Sequence, residues 1–523
     1  MFRTLSCLLL LLLTLSAPAV AAPAPDAPGL YREHCASCHG AGRLGGMGPA
    51  LLPQNLKRLR PETARRVIRD GRAATQMPSF GEQLDAATID ALVDHIYTPL
   101  DRVPEWGIKE IRASHLRHAD PARLSDRPIF DADPDNLFIV VELGDHHASL
   151  LDGDRFEVIR RFPTRFALHG GPKYSPDGRF VYFASRDGWI SKYDLYNLTY
   201  VAEVRAGINT RNLAVSGDGR VVMVANYLPH TLVALDAETL LPLKVIPVRD
   251  GQGRSSRVSA VYAAPPRDSF IVALKDIPEV WEVSYADPPP RGFGQWMHDY
   301  REDSGEDDSA DPFPVRRIAT QGFLDDFFIT QDYSQIAGTS RDGQGQVIDL
   351  DLGRAVKALQ LPGMPHLSSA ISWSWTDAQG QRHTVMATPN IRNSEITVVD
   401  TATWKPIRHI PTDGPGFFMR SHENSRYAWT DVFFGPKRDE MHVIDKQSLK
   451  IVKTLIPEPG KTSAHVEFTR DGRYALVSIW DMDGAIVVYD AKTLKEVKRL
   501  PMKKPSGKYN VHNKIHRSAG TSH

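Results

Sequence analysis

Cysteine is scarce in this chain: its 523 residues include three, at positions 7, 35 and 38. Cys7 lies in an N-terminal segment with the pattern of a removable signal, so the mature protein keeps only Cys35 and Cys38. Both belong to the motif described below, and neither is then free for a disulfide. The shortage excludes a disulfide-stabilised scaffold.

Net charge and long apolar runs are also lacking. Lys plus Arg and Asp plus Glu number 63 each, so the overall charge gives no indication of a nucleic-acid partner. The apolar run Leu8 to Leu13 is too short to span a membrane. With Arg3 before it and small residues up to Ala22 after it, the run predicts a signal peptide over residues 1–22. We therefore expect a periplasmic protein whose mature form has no membrane span.

The most informative feature that is present is Cys35-Ala36-Ser37-Cys38-His39. In this pattern two thiols bind the vinyl groups of a c-type haem, and the adjacent imidazole ligates its iron. The spacing serves two covalent bonds and one axial ligand together. The motif predicts one covalent c haem, and hence an electron carrier or an electron-coupled enzyme.

Residues 28–100 resemble a small class I cytochrome c domain. Helices are predicted where apolar residues recur at helical spacing, over residues 31–38, 62–71 and 86–97. Met77, followed by Pro78 in the loop before the last helix, is the predicted sixth iron ligand, and Met47 is the alternative. A thioether opposite histidine raises the haem potential.

The rest of the chain consists of repeats. The clearest copies begin YSPDGRFVYFASRDG at Tyr174, VSGDGRVVMVANYLP at Val215 and FTRDGRYALVSIW at Phe468, and weaker copies begin near residues 131, 263, 330, 384 and 422. Each of the three clear copies has an Asp-Gly turn, an alternating strand, a polar break and further strands, and the units are about 40 residues long. Eight such units predict an eight-bladed β-propeller over residues 125–523, with seven blades as the alternative. The fold class is thus an α domain plus an all-β domain, joined by a linker at residues 101–124.

A cluster of candidate ligand-binding residues surrounds the Tyr174 repeat. His169 is followed by two glycines, which allow the backbone to pass close to a ligand. Lys173, Arg186 and Arg211 occupy inner positions of this repeat and the next. Several cations at one mouth of a propeller suit a polycarboxylate such as a porphyrin.

With these features the chain resembles the cytochrome cd1 nitrite reductase family, over essentially the whole mature sequence. The specific marks are FALHGGPKYSPDGRFVYFASRDG, GINTRNLAVS, FIVALKDIPEVWEV and PSGKYNVHN. The resemblance implies that the propeller binds haem d1, with His169 as the proximal iron ligand. It also implies that Lys173, Arg186 and Arg211 face the carboxylates of the tetrapyrrole.

One departure from the reductase pattern bears on the activity. Nitrite reductases of this family place two histidines over the distal face of haem d1. Here the second matches His366, but the first falls at Asp325 in Gly-Phe-Leu-Asp-Asp. A carboxylate near the iron would repel nitrite, so efficient nitrite reduction is not expected.

The chain is more similar to the NirN-type branch of this family, the dihydro-haem d1 dehydrogenases of haem d1 biosynthesis. This resemblance implies oxidation of one propionate of the precursor to an acrylate, with two electrons and two protons released and the c haem as the electron sink. The chemistry needs a base, for which a neutral imidazole is suited. The candidate catalytic residues are His366, His422, His465, Tyr509 and Asp325.

Two other functions are left open by the sequence. They are a cytochrome cd1 nitrite reductase, and a non-catalytic carrier that hands haem d1 to a partner. The expected partners are the dihydro-haem d1 substrate, an external redox acceptor and a cytochrome cd1 nitrite reductase that receives haem d1, without nucleic acid. The linker length permits a haem domain that packs on the propeller or one that swings.

Overall fold

A computed structural model describes residues 25–516, apart from 57–58, 73–75, 103, 289, 291–311 and 341–343. The predicted signal peptide, residues 1–22, lies outside the described residues. None of the helices described has both the length and the apolar character needed to cross a bilayer.

The N-terminal domain is helical, as predicted. The seven helices of the described chain are α1 Ala27–His34, α2 Ala36–His39, α3 Pro53–Leu56, α4 Pro61–Asp70, α5 Ala86–Tyr97, α6 Ile108–Ala113 and α7 Val511–His516. Helix α5 begins where the Asp85 side chain accepts from the Thr88 amide at 2.8 Å, an N-cap that satisfies one of its free donors. Its apolar face buries Ile89, Leu92 and Val93 against Tyr31 of α1.

The haem-binding loop is tied to the last helix of this domain by Arg43. Its guanidinium is almost fully buried and donates to the carbonyls of His95 at 2.5 Å and Thr98 at 2.9 Å. These carbonyls lie at the C-terminal end of α5, where a cation is favourable because the helix dipole is negative there. The loop after Cys38 is therefore fixed against α5.

The strands form eight separate antiparallel sheets, which confirms the eight-bladed prediction and not the seven-bladed one. Blade 1 contains β2 Leu137–Glu142, β3 His147–Asp152, β4 Glu157–Pro163 and β33 Pro505–Asn510; blade 2 contains β1 Leu116–Arg117, β5 Lys173–Tyr174, β6 Phe180–Ala184, β7 Trp189–Asp194 and β8 Thr199–Arg205. Blade 3 contains β9 Asn209–Val215, β10 Val221–Leu228, β11 Thr231–Asp236 and β12 Pro242–Pro247; blade 4 contains β13 Val258–Ala264, β14 Ser269–Leu274, β15 Glu279–Ser284 and β16 Val315–Ala319.

The second half of the propeller repeats this plan. Blade 5 contains β17 Asp326–Ile329, β18 Gln335–Thr339, β19 Gln344–Asp349 and β20 Arg354–Gln360; blade 6 contains β21 Ile371–Thr376, β22 Arg382–Pro389, β23 Glu395–Asp400 and β24 Pro406–Pro411. Blade 7 contains β25 Met419–Ser421, β26 Tyr427–Asp431, β27 Met441–Asp445 and β28 Lys450–Leu455; blade 8 contains β29 Ser463–Phe468, β30 Tyr474–Ile479, β31 Gly484–Asp490 and β32 Glu496–Met502.

The Asp-Gly signal of the repeats forms the turn between the first two strands of a blade. In blade 3 the Asp218 carboxylate accepts from the Ser216 hydroxyl at 2.5 Å and from the Arg220 amide at 3.0 Å. Gly219 has φ +74°, a left-handed conformation that favours glycine. The inner strands that follow are buried on both faces, because each packs between neighbouring blades.

The ends of the chain close the ring. Strand β33, near the C-terminus, pairs with β2, so blade 1 combines strands from both ends of the propeller. Strand β1 lies in the segment predicted as a linker and adds a fifth strand to the outer edge of blade 2 by pairing with β8. The same segment contains α6, so it is structured and packed rather than extended.

The helical domain packs directly on the propeller. Leu52 of the helical domain is fully buried with Ile208 and Leu228 of blade 3. Gln76 donates through Nε2 to the carbonyl of Leu143 and lies 3.0 Å from Nδ1 of His146, both at the blade 1 turn. Of the two arrangements that the linker length permits, the structure has the packed one.

Candidate active site

The haem-attachment motif is arranged as covalent haem binding requires. Cys35 and Cys38 are both free thiols, and the following histidine, His39, directs Nδ1 to the carbonyl of Pro49 at 2.8 Å. A ring nitrogen that faces a carbonyl carries the proton, which leaves Nε2 as the ligand atom. The donor set fits a c haem.

The two candidate sixth ligands lie in different places. Met47 Sδ is 3.5 Å from Cys38 Sγ, on the side of the attachment motif. Its neighbour Gly48 packs against the His39 ring so closely that a Cβ there would lie 2.5 Å from Cε1. Met77 comes from the loop between α4 and α5 and packs with the core of the helical domain. Met77 stays the first candidate, because Met47 lies beside the motif that already supplies Cys38 and His39.

One continuous cavity of about 1080 Å³ runs from the haem-attachment motif into the centre of the propeller. It exceeds the roughly 300–1,000 Å³ of pockets that hold a single small ligand. Its lining joins residues of both domains, among them Cys38, His39, Met77, His169, His465 and Tyr509. A ligand in the propeller therefore lies in the same enclosure as the c haem site.

His169 stands on the cavity wall just before β5. Its Nδ1 lies 2.6 Å from the carbonyl of Arg211, and Arg211 Nη1 lies 2.5 Å from its Nε2. Burial, reinforced by Arg186 and Arg211, holds the pKa of His169 far below its usual value. The imidazole is neutral and protonated on Nδ1, the form in which Nε2 binds iron.

Cations gather around His169, as predicted. Arg186 and Arg211 line the cavity beside it, and Lys173 lies on the adjoining wall, where its ammonium donates to the Gly170 carbonyl at 3.2 Å. Burial, together with Arg211, lowers the pKa of Arg186 to about 9. The three half-buried cations suit a ligand with several carboxylates, because charge-assisted hydrogen bonds would compensate their loss of water.

Tyr227, which the sequence reasoning missed, faces the same cations. Burial alone raises its pKa, but Arg211, Lys275 and Arg186 outweigh that effect and lower the pKa to about 8. Lys275 Nζ lies 5.5 Å from the centre of its ring. Tyr227 lies in β10, one residue before its end, and its residue type alone carried no functional signal.

His366 lies on the cavity wall in front of β21. It stacks on the Phe417 ring, with centroids 4.2 Å apart and planes 8° from parallel, and its Nδ1 lies 2.5 Å from the Phe417 carbonyl. The Ser368 hydroxyl is 3.1 Å from Nε2. Burial lowers the pKa of His366, so its neutral form is the stable one.

His465 enters the cavity from a β-bulge in β29. The ladder to β30 shifts register between Ala464 and Val466, and His465 has φ +52°. A bulge of this kind redirects one side chain, here into the cavity. Nδ1 of the ring is buried without a hydrogen-bond partner in the described part of the chain. Burial, with Lys508 and Arg420, holds the pKa of His465 far below its usual value.

Tyr509 completes this wall. Its ring lies 5.1 Å from that of His465, centroid to centroid, and its carbonyl accepts from the Tyr174 hydroxyl at 2.8 Å. A Cβ at Gly171 would come within 2.8 Å of the Tyr509 ring, so the second glycine after His169 makes room for this residue. Burial raises the pKa of Tyr509 to about 12, and its hydroxyl remains protonated.

Asp431, at the end of β26, holds this wall together from behind. One carboxylate oxygen accepts from the amides of Phe417 at 2.7 Å and Phe418 at 3.0 Å, and the other accepts from the His465 amide at 3.3 Å. The carboxylate thereby joins the backbones that carry His465 and the stacking partner of His366. Burial raises the pKa of Asp431 to about 7 despite these donors.

The structure corrects the prediction for Asp325. Its carboxylate binds Lys275 Nζ at 2.7 Å and does not line the cavity. The next residue, Asp326, does line it and accepts from the Tyr262 hydroxyl at 3.2 Å. Strand β17 begins here, and neighbouring residues of a strand point to opposite sides.

The structure also corrects the prediction for His422. Its ring is buried outside the cavity, with Nε2 3.1 Å from the Arg470 carbonyl and Nδ1 3.1 Å from the Asn424 amide. Nε2 thus contacts the turn between β29 and β30, and Nδ1 accepts from the turn between β25 and β26. His422 follows β25 and therefore lies at the opposite end of the inner strand from Phe418.

Other lining residues escaped the sequence reasoning for a common reason. Arg420 and Lys514 reach the cavity, and Arg420 binds Glu467 at 2.7 Å beneath it. Arg420 lies two residues before the predicted His422, and Lys514 directly follows the motif PSGKYNVHN. Strand alternation does not separate Arg420 from His422, because residues two positions apart share a face; Arg420 lies within β25, whereas His422 follows its end.

These features define a class of protein in which a c-type cytochrome domain covers a β-propeller that holds a second tetrapyrrole. The chain belongs to the cytochrome D1 heme domain family, whose model matches residues 132–514. Residues 22–96 match the model of cytochrome C oxidase, cbb3-type, subunit III.

Individual relatives extend this match. The chain is 58% identical over 505 residues to dihydro-heme d1 dehydrogenase of Pseudomonas aeruginosa, covering 96% of this chain and 97% of the relative. It is 23% identical over 540 residues to a nitrite reductase of Stutzerimonas stutzeri, covering 92% of each. Among solved structures, dihydro-heme d1 dehydrogenase NirN in complex with DHE superposes with a TM-score of 0.81 at 58% identity, covering 93% of this chain and 99% of that one.

Proposed function

We propose that this protein is a dihydro-haem d1 dehydrogenase, which oxidises one propionate side chain of its tetrapyrrole substrate to an acrylate. The observation that carries the proposal is the single cavity shared by the haem-attachment motif and by His169, His366, His465 and Tyr509. The similarity to dihydro-heme d1 dehydrogenase of Pseudomonas aeruginosa supports it. The reaction converts –CH2–CH2–COO⁻ into –CH=CH–COO⁻ with release of two protons and two electrons.

The substrate is held by the propeller. We assign His169 Nε2 as the ligand of the substrate iron, because Nδ1 is committed to the Arg211 carbonyl. Lys173, Arg186 and Arg211 bind carboxylates of the tetrapyrrole, whose negative charge compensates these half-buried cations. Binding in this enclosure removes water from the reacting side chain.

Two neutral imidazoles are available as proton acceptors. His465 is the first candidate, since Nδ1 of its ring has no hydrogen-bond partner among the described residues and burial keeps the ring unprotonated. His366 accepts at Nε2, where the Ser368 hydroxyl lies 3.1 Å away. Tyr509 stays protonated and donates a hydrogen bond. Asp431 positions both imidazoles without contact with the substrate.

Electrons leave through the helical domain. Cys35, Cys38, His39 and Met77 would hold the c haem, which would supply a one-electron acceptor. The two electrons would then leave one at a time to an external redox partner. We further propose that residues 1–22 direct export to the periplasm. The product would then serve a cytochrome cd1 nitrite reductase in denitrification.

The test is an anaerobic spectral titration. Purified protein with oxidised c haem is mixed with dihydro-haem d1, and visible absorption is followed for formation of haem d1 and reduction of the c haem. Both changes are expected together. If an external oxidant is supplied and neither change occurs, the proposal is refuted. Binding without conversion would identify a carrier, and turnover of nitrite by the reduced protein would identify a nitrite reductase.

A further inference from the structure

The C-terminal helix brings one more charged residue to the cavity, Lys514. Helix α7 follows β33 directly, and its Asn513 side chain donates to the Phe468 carbonyl at 2.8 Å and to Glu467 at 3.2 Å. Asn513 is 1% exposed, and Val511 is buried in the core of blades 1 and 2. The position of the Lys514 backbone is therefore fixed by its neighbours in the helix.

The Lys514 ammonium has no anionic partner. Its Nζ lies 5.5 Å from the centre of the Tyr509 ring, and no ion pair within 4.0 Å in the described chain includes it. The carboxylate that contributes most to its environment, Glu467, is bound by Arg420 at 2.7 Å. Lys173 adds a further positive charge.

Such an arrangement is unfavourable unless an anion enters. Burial, with Arg420 and Lys173, holds the pKa of Lys514 far below its usual value, although Glu467 opposes the effect. The Lys514 side chain is half-buried, and an ammonium that is partly removed from water without an anionic partner carries a desolvation cost. A carboxylate in the cavity beside Lys514 would remove that cost.

The neighbours of Lys514 indicate which carboxylate this is. Lys514 lies next to Tyr509, and Tyr509 lies 5.1 Å from His465. The Arg186 and Arg211 pair instead lies beside His169. A side chain held by Lys514 thus passes the candidate base, whereas one held by Arg186 and Arg211 lies beside the iron ligand.

We propose that Lys514 binds the carboxylate of the propionate that is oxidised, and thereby places the two reacting carbons beside Tyr509 and His465. This inference rests on the proposed function and specifies its substrate contact. The carboxylate keeps its charge throughout, while the adjacent CH2–CH2 bond loses two hydrogens as two protons and two electrons. Lys514 contributes binding and orientation, and it takes up no proton from carbon.

The test compares Lys514→Met with Lys514→Arg, and uses Lys492→Met, at an exposed turn of blade 8, as the control. The affinity for dihydro-haem d1 is measured by absorption titration, and the rate of conversion is measured at saturating substrate. Loss of a charged contact predicts a roughly ten- to hundred-fold weaker affinity and a slower saturated rate for Lys514→Met. Lys514→Arg is expected to recover both in part, and Lys492→Met to match the wild type.

Each outcome decides one point. If the wild type itself fails to convert the substrate, the proposed function is wrong, and the affinity of Lys514→Met still tests the carboxylate contact. Unchanged affinity in Lys514→Met overturns the contact. Weaker affinity with an unchanged saturated rate overturns the assignment to the reacting side chain. The c haem spectrum of each variant reports folding, and Lys514→Gln replaces Lys514→Met if that variant does not fold.

Discussion

Substitution of Asp431 tests how the backbones that carry His465 and Phe417 are held in place. In Asp431→Asn, the amide oxygen can keep the hydrogen bonds from Phe417 at 2.7 Å and Phe418 at 3.0 Å. The new NH2 group then faces the His465 amide, which the carboxylate accepts at 3.3 Å. Two buried donors that face each other cost about 1–3 kcal/mol. The substitution should displace His465 and leave Phe417, and with it His366, in place.

The effect on activity follows from this selective displacement. A shift of about 1 Å in a catalytic group costs about 100-fold in rate. We expect the saturated rate of dehydrogenation to fall by at least ten-fold, with unchanged affinity for the substrate because the contacts of His169 and its cations are untouched. Substrate titration and single-turnover absorption separate the two quantities.

The stability of the variant should depend on pH in a defined direction. Burial raises the pKa of Asp431 to about 7, above its unfolded value of about 4. A carboxyl with a raised pKa contributes its full stability below pH 4 and loses it as the pH rises through 7. About three pH units correspond to about 4 kcal/mol. The stability of Asp431→Asn relative to the wild type should therefore be lowest near pH 4.5 and rise by up to that amount by pH 8, where its deficit of about 1–3 kcal/mol disappears or reverses.

The matched control is Asp445→Asn, on the next strand. Asp445 is also buried, but the amide of Ser448 and the Arg426 guanidinium outweigh burial and lower its pKa. Its stabilising contribution is present at neutral pH and lost in acid, so the destabilisation by Asp445→Asn should grow as the pH rises from 3 to 5. Denaturant unfolding of both variants measures the two trends. A pH-independent loss, or a growing one, for Asp431→Asn would refute the reasoning.

Three further predictions concern the ligands and the contact between the domains. His169→Ala should remove the protein ligand of the substrate iron and change the spectrum of the bound tetrapyrrole, and an unchanged spectrum would disprove the assignment. Met77→Ala should lower the c haem potential in a redox titration, because a thioether ligand raises that potential. Met47→Leu should leave the potential unchanged. The reverse result would make Met47 the ligand. Leu52→Ala should weaken the packing of the helical domain on the propeller by about 2–5 kcal/mol. Thermal unfolding followed at the c haem absorption band should then occur at a lower temperature. An unshifted transition would show that the contact does not stabilise the domain.

Much of the architecture was predictable because it rests on local or periodic signals. The cysteine spacing in Cys35 to His39 serves one covalent arrangement, and the apolar spacing of residues 86–97 predicted α5 at the bounds Ala86–Tyr97 that the structure has. Units of about 40 residues recur along the chain, three of them with an Asp-Gly turn, and the eight predicted repeats correspond to eight sheets. Each of these signals lies within a few residues of the feature that it predicts.

The candidate site was predictable only where a motif marked the residue itself. His169, His366, His465 and Tyr509 all reach the cavity, whereas His422 serves a turn outside it. All are polar residues near the inner strands, and the sequence does not show which end of a strand or which face of it each occupies. A shift of one position decided between Asp325 and Asp326, since alternate residues of a strand face opposite ways.

The sequence by itself determined the covalent chemistry at Cys35 and Cys38, the helical domain and the repeated blades, because bond spacing and hydrophobic periodicity are local properties. Only the tertiary structure decided that the helical domain packs on the propeller and that one cavity joins the two sites. It also decided the roles of Asp431 and Lys514, because these roles depend on contacts with other segments of the chain. Asp431 joins the neighbouring blades 7 and 8, whereas Lys514 reaches the cavity from the helix that follows β33, the strand that closes the ring by pairing with β2.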